Sequence, residues 1–138
     1  MLTTTARPGA HVCLDLGEEE YTKGRPHPMI DPAARTEIMR AEAFDGDVAA
    51  VLLDVVLGYG SHPDPAGEIA GTCADIVAGG AAVVAYVLGA RADRQGLDRQ
   101  RRTLRDAGAI VTASAAEAAR VAAAVAAREP ALATVGRP

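Results

Sequence analysis

The run VAAVLLDVVLG at residues 48–58 is almost unbrokenly apolar and then turns through YGSHPDP (59–65) into PAGEIAGTCADIVA (65–78). An apolar run without alternation reads as a strand buried on both faces, as in a parallel sheet. The Asp64-Pro65 step is a favoured way to open a helix, because an N-cap aspartate is followed by a proline whose missing N–H has no helical partner in any case. One strand, one loop and one helix therefore lie within 31 residues.

The same unit recurs on either side. HVCLDLG (11–17), AAVVAYVLGA (81–90) and GAIVTA (108–113) are further short runs rich in Val, Leu and Ile. Helical patterns alternate with them at 32–43, 65–78, 95–107 and 115–128. In the last, Ser114 and Glu117 stand at the spacing of a capping box. Alternating strands and helices predict an α/β fold, specifically a flavodoxin-like open parallel sheet of about four strands in the order 2-1-3-4 with helices on both faces. Residues 1–10 and 129–138 are expected to be flexible flanks of a single domain at 11–128.

Composition limits the function. The chain has 138 residues, of which 49% are hydrophobic and only 3% aromatic, so the core must be built from small aliphatic side chains. A net charge of −4 argues against binding nucleic acid or an anionic membrane. The one basic run, RQGLDRQRRTLR (94–105), reads as a solvated helix face. Cys13 and Cys73 lie in apolar runs without C-x-x-C spacing and are expected to be buried free thiols in a reducing compartment. No leader pattern opens the chain, and the apolar stretch near residue 80 is short and broken by glycines. A soluble cytoplasmic protein is the expectation.

Ligands of open parallel sheets bind beyond the carboxyl ends of the strands. The loop after the first run, EEEYTKGRPHPMIDP (18–32), is long against the usual connection of about two to six residues. Prolines after Arg25 and His27 push both residues toward extended backbone. GYGSHPDP (58–65) repeats the theme with His62 before Pro63 and Asp64 before Pro65. Asp31 and Asp64 read first as helix caps. The histidines read as proton donors or nucleophiles, or else as partly exposed histidines with their hydrogen bonds satisfied. Arg25 has the fork to clamp a phosphate or carboxylate, and Lys23 adds a point charge. Two helix starts in one cleft would supply N–H donors to an anion. A metal held by His27, His62 and an aspartate matches no closed ligand spacing. Asp15 and Asp54, late in apolar runs, need partners, for which Arg25 or a histidine is the candidate.

Two blocks, GRPHPMIDP (24–32) and LDVVLGYGSHPDP (53–65), together with GARADRQGLDRQRRTLRDAGAIVTASAAEAARVAAAV (89–125), resemble the carboxyl-terminal domain of FdrA proteins. The chain is also distantly similar to the ligase domain of NDP-forming succinyl-CoA synthetases. The short G-H-A-G loop that carries phosphohistidine in those synthetases is absent, as is a Rossmann glycine pattern. In the third loop Asp93 and Gln95 match the FdrA-like pattern, whereas its Thr and Pro are missing.

The resemblance implies a small subunit of an acyl- or carbamoyl-transferase assembly, of the kind that transfers carbamoyl to or from oxamate. Its partners would be a CoA-binding-like FdrA amino-terminal subunit and other transferase subunits, with a homo-oligomer also open. No cofactor is assigned to the chain itself; CoA, carbamoyl phosphate or ADP would come through the partner. His27 and His62 are the expected catalytic pair, with Arg25, Asp31, Gly58, Gly60, Asp64 and Asp93 binding substrate. The rival expectations are a non-catalytic subunit that completes an interface, and a free-standing small-ligand sensor. The expected geometry is that His27 and His62 lie across one cleft.

Overall fold

A computed structural model describes residues 11–43 and 46–134. In chain order the elements are α1 (Glu19–Thr22), α2 (Ala33–Ala43), β1 (Ala50–Val56), α3 (Pro65–Ala78), β2 (Ala82–Leu88), α4 (Leu97–Asp106), β3 (Ile110–Thr112), α5 (Ala115–Ala127) and a closing 3-10 turn at Pro130–Thr134. The sheet is open and parallel, with order β1-β2-β3. The α/β class and the flavodoxin-like arrangement hold, but the described sheet has three strands instead of four.

The missing strand is HVCLDLG. Residues 11–15 form no ladder, and the position expected for them, between the 48–58 and 81–90 runs, is closed by direct pairing of Ala50 with Ala82 through Val56 with Leu88. Bonds from Ala82 N–H to Ala49 O and from Leu57 N–H to Leu88 O extend that pairing at both ends. Asp15 also ends the extended run. Its Oδ1 accepts the Gly17 N–H at 2.9 Å and its carbonyl accepts the Glu18 N–H at 3.2 Å, which turns the chain into α1. Cys13 is consequently exposed, correcting the expectation of a buried thiol, while Cys73 on α3 is fully buried. Burial pushes the Cys73 thiol up to about 11.

Side-chain alternation assigns the layers. Leu53 and Val55 of β1 and Val83, Ala85 and Val87 of β2 form one core with Ile69, Cys73 and Ile76 of α3 and Leu104 of α4. Val84 points to the opposite face, where α5 crosses the sheet and buries Ala118. Packing α3 this closely requires small residues, which accounts for Ala66 and Cys73 at 0% exposure. At the start of α5, Glu117 N–H donates to Ser114 Oγ at 3.2 Å, while Glu117 Oε2 accepts from Ala113 N–H at 3.0 Å. The capping box is present, with the return bond falling one residue early.

No helix among the described residues is long and apolar enough to cross a membrane. Residues 1–10 and 135–138 lie outside the described residues, so the expectation for the amino-terminal flank does not meet the structure; at the other end, 130–134 packs against α5.

Candidate functional site

The two His-Pro loops adopt the same local geometry. His27 Nδ1 accepts the Met29 N–H at 3.1 Å, and His62 Nδ1 accepts the Asp64 N–H at 3.1 Å. Proline between imidazole and donor keeps the backbone extended, so the amide two residues on meets the ring. The loops are then joined, because the His62 N–H donates to Met29 O at 2.8 Å. A continuous path runs from the His27 ring through the N–H and the C=O of Met29 to His62, and through the His62 ring to the Asp64 amide. His27 is exposed and His62 half-buried.

These bonds fix the chemistry of the rings. An Nδ1 that accepts an N–H carries a lone pair, so in the neutral imidazole the proton resides on Nε2. Both rings are therefore arranged to offer Nε2–H as a donor, and a nucleophilic Nε2 would require loss of the backbone bond. The His27 ring also lies over Gly17: a Cβ there would stand 2.9 Å from Nε2 and 3.1 Å from Asp15 Oδ1, so glycine is what permits the approach.

The charged residues are placed differently from expectation. Arg25 Nη1 bonds Glu37 Oε2 of α2 at 3.2 Å on the surface, with side chains 60% and 70% exposed, an arrangement of small energetic value. Asp54 is exposed instead of buried, and its partner is neither Arg25 nor a histidine. Arg35 donates to its carbonyl and lies 3.7 Å from its carboxylate. Arg35, only 22% exposed, lines a small cleft with Pro28, Met29, Pro32, Val56, Pro65 and Ile69; neither His27 nor His62 is among the residues lining it, so this cleft is not the one expected between the two rings. Arg35 is the cation that sequence reading missed, although its position one turn after Asp31-Pro32 was a usable signal. That cleft holds about 20 Å³, room for little more than a water molecule.

The aspartates are occupied within the chain. Asp31 Oδ1 accepts from Ala33 N–H at 3.0 Å, which fulfils its expected capping role. Asp64 occupies the N-cap position of α3, ahead of Pro65, and its carbonyl accepts the Glu68 N–H at 3.2 Å, but its side chain makes no capping bond. Its Oδ1 accepts Gln100 Nε2 at 2.7 Å and lies 3.5 Å from Arg99 Nη1, while the Ala66 N–H at the start of α3 goes to Gln100 Oε1 at 2.8 Å. Asp93 Oδ2 accepts from Ala90 N–H at 2.6 Å and so closes its own loop.

Gln95 ties the second and third loops together. Its amide accepts from Gly58 N–H at 3.3 Å and donates to Gly58 O at 2.8 Å and to His62 O at 3.4 Å. Gly58 and Gly60 have φ of 121° and 84°, conformations that favour glycine, and between them Tyr59 stands fully in solvent. Gln95 and Gln100 are buried at 6% and 0% exposure. Only Gln95 had a sequence signal, the match of the third loop to the FdrA-like pattern. Among the described residues, no three His, Cys, Asp or Glu side chains gather in a way that could hold a metal ion.

The arrangement thus presents two imidazole donors on stapled loops and a half-buried guanidinium at one end of a parallel sheet. It resembles at the sequence level an uncharacterized protein, YahF, of Escherichia coli (strain K12), with 43% identity over 110 residues that cover 75% of this chain and 21% of that protein. The chain spans about a fifth of the length of that relative. The profile of the CoA-ligase family matches residues 1–125, which includes both His-Pro loops, the Gln95 clamp and β1 to β3, and the chain belongs to that family.

Proposed function

We propose that the chain is the CoA-ligase-type component of a multi-subunit acyl-CoA synthetase or acyl/carbamoyl transferase of FdrA-like kind. In this reading it binds an anionic acyl or carbamoyl phosphate-type intermediate at the carboxyl edge of the sheet. The observation that carries the reading is the pair of His-Pro loops, each ring locked through Nδ1 and the two joined by the His62 N–H to Met29 O bond. Locked Nε2–H donors stabilise oxygen charge that develops in acyl or phosphoryl transfer without needing to reorganise. Arg35 adds fixed positive charge at the cleft. The histidines bind and polarise; they do not form a covalent intermediate.

The small size of the cleft supports completion of the site by a partner. Space for about one water does not hold an acyl phosphate, so the remaining walls would come from a CoA-binding-like subunit. The test is to recover the tagged protein from its own cells with what binds it and to assay carbamoyl phosphate-dependent transfer to oxamate and acyl-CoA synthesis. His27→Ala and His62→Ala are expected to keep the partners and reduce one of these activities at least tenfold. Full activity in both variants would refute the site, and a wild-type assembly inert in both assays would refute the reaction class.

A further inference from the structure

Two arginines of the basic run at 94–105, Arg101 and Arg105, take no part in the Gln95–Arg99–Gln100 network that holds the second His-Pro loop. β3 is an outer strand of the described sheet and only three residues long. Beside it a groove of about 360 Å³ runs between α4 and α5, walled by Arg101 and Arg105 on one side and Glu117 and Val121 on the other, with Ile110 44% exposed in its floor. Arg101 Nε is withdrawn from water and has no hydrogen-bond partner, and among the described residues neither arginine has a carboxylate within 4 Å. Arg101 as a whole is half-exposed and Arg105 exposed, so their guanidinium groups give this wall of the groove positive charge. The Ala113 N–H is already taken by Glu117 Oε2, so among the described residues the open part of the edge is 110–112.

We propose that this edge is a docking slot for an extended acidic segment of a partner polypeptide, added as a strand beside β3. Successive side chains of such a segment face opposite ways, so acidic residues at alternate positions meet Arg101 and Arg105 while apolar ones between them cover Ile110 and Val121. A second copy of this chain is the wrong occupant. Pairing the edge with itself about a twofold axis would set the arginines of one copy against those of the other.

The probe is a capped hexapeptide of alternating glutamate and valine, titrated into the isotope-labelled full chain and followed by amide chemical shifts. Shifts confined to 110–112 and the facing turns of α4 and α5 are expected, together with at least tenfold weaker binding by Arg101→Gln/Arg105→Gln. Where that pair fails to fold, the exposed Arg105→Gln alone is expected to weaken binding about threefold. The matching lysine-valine peptide should not bind. Equal binding of both peptides, shifts elsewhere, or no binding at millimolar peptide would overturn the proposal. So would tripolyphosphate reproducing the same shifts while the peptide produces none, since the groove would then take a small polyanion instead.

Discussion

Replacing Gln100 by leucine isolates the network that holds the start of α3. The side chain is fully buried; it accepts the Ala66 N–H at 2.8 Å and donates to Asp64 Oδ1 at 2.7 Å and Gln95 O at 3.2 Å. Leucine fills nearly the same volume, so little cavity cost arises. The Ala66 amide, in a residue with no exposure and so no access to water, is left unpaired, which puts the cost at the upper end of the usual range, about 2–3 kcal/mol. Asp64 retains Arg99 and is 45% exposed, so water replaces the lost donor cheaply, and Gln95 O keeps its bonds from Arg99 at 2.8 and 3.2 Å. Added apolar burial returns about 1 kcal/mol. The net loss is therefore about 1–2 kcal/mol, or a fall of roughly 4–8 °C in Tm for a domain of this size. Urea unfolding by circular dichroism measures it, and amide exchange should accelerate first at Ala66. A loss below about 0.5 kcal/mol, or unchanged exchange at Ala66, would show that Gln100 does not hold the helix start.

Cys73 predicts an alkaline signature. Its folded-state pKa is raised from 9.0 to about 11, so between those values the unfolded chain releases a proton that the folded chain retains. Stability should be unaffected by this group below pH 9, fall as pH rises toward 11, and level off above it; Cys73→Ala should remove that part of the slope when urea midpoints are compared across pH. Ser114→Ala should cost about 1 kcal/mol through loss of the Glu117 N–H acceptor at the start of α5, with Ser114→Asp close to wild type by the same unfolding assay. Gly17→Ala should displace the His27 ring, read as a shift of its imidazole resonances with the His62 resonances held, because the added Cβ meets Nε2 at 2.9 Å. Unmoved His27 resonances would mean that the ring does not rest on that glycine in solution.

The four longer helices were legible because their signals are local, whereas the single turn α1 falls within the 18–32 stretch read as a loop. Pro65 opens α3 at the residue expected, and the Ser114/Glu117 spacing locates α5 within one residue. The run HVCLDLG misled because apolar composition states that a segment is suited to a strand, whereas pairing depends on which edges remain open. With β1 and β2 already in register, Asp15 found a closer use for its carboxylate in the Gly17 turn. At the site, the His-Pro repeat pointed to two loops that the structure joins, but the role of the rings followed only from the Nδ1 bonds. Arg25 was favoured over Arg35 because sequence shows neighbours along the chain and not across a cleft. Gln100 lies 34 residues from the amide it serves, a separation with no local pattern to announce it.

The Gln95 clamp has a consequence for engineering and for divergence. One amide grips both the N–H and the C=O of Gly58, 37 residues away, and reaches the carbonyl of His62 as well. The shape of GYGSHPDP is thus stored partly in another loop. Grafting that octapeptide onto a foreign scaffold would carry its letters without its form, and swapping GARADRQ for a loop that lacks the glutamine would reshape a histidine it never touches in sequence. The two segments behave as one inherited module and should be transplanted, shuffled or redesigned only as a pair.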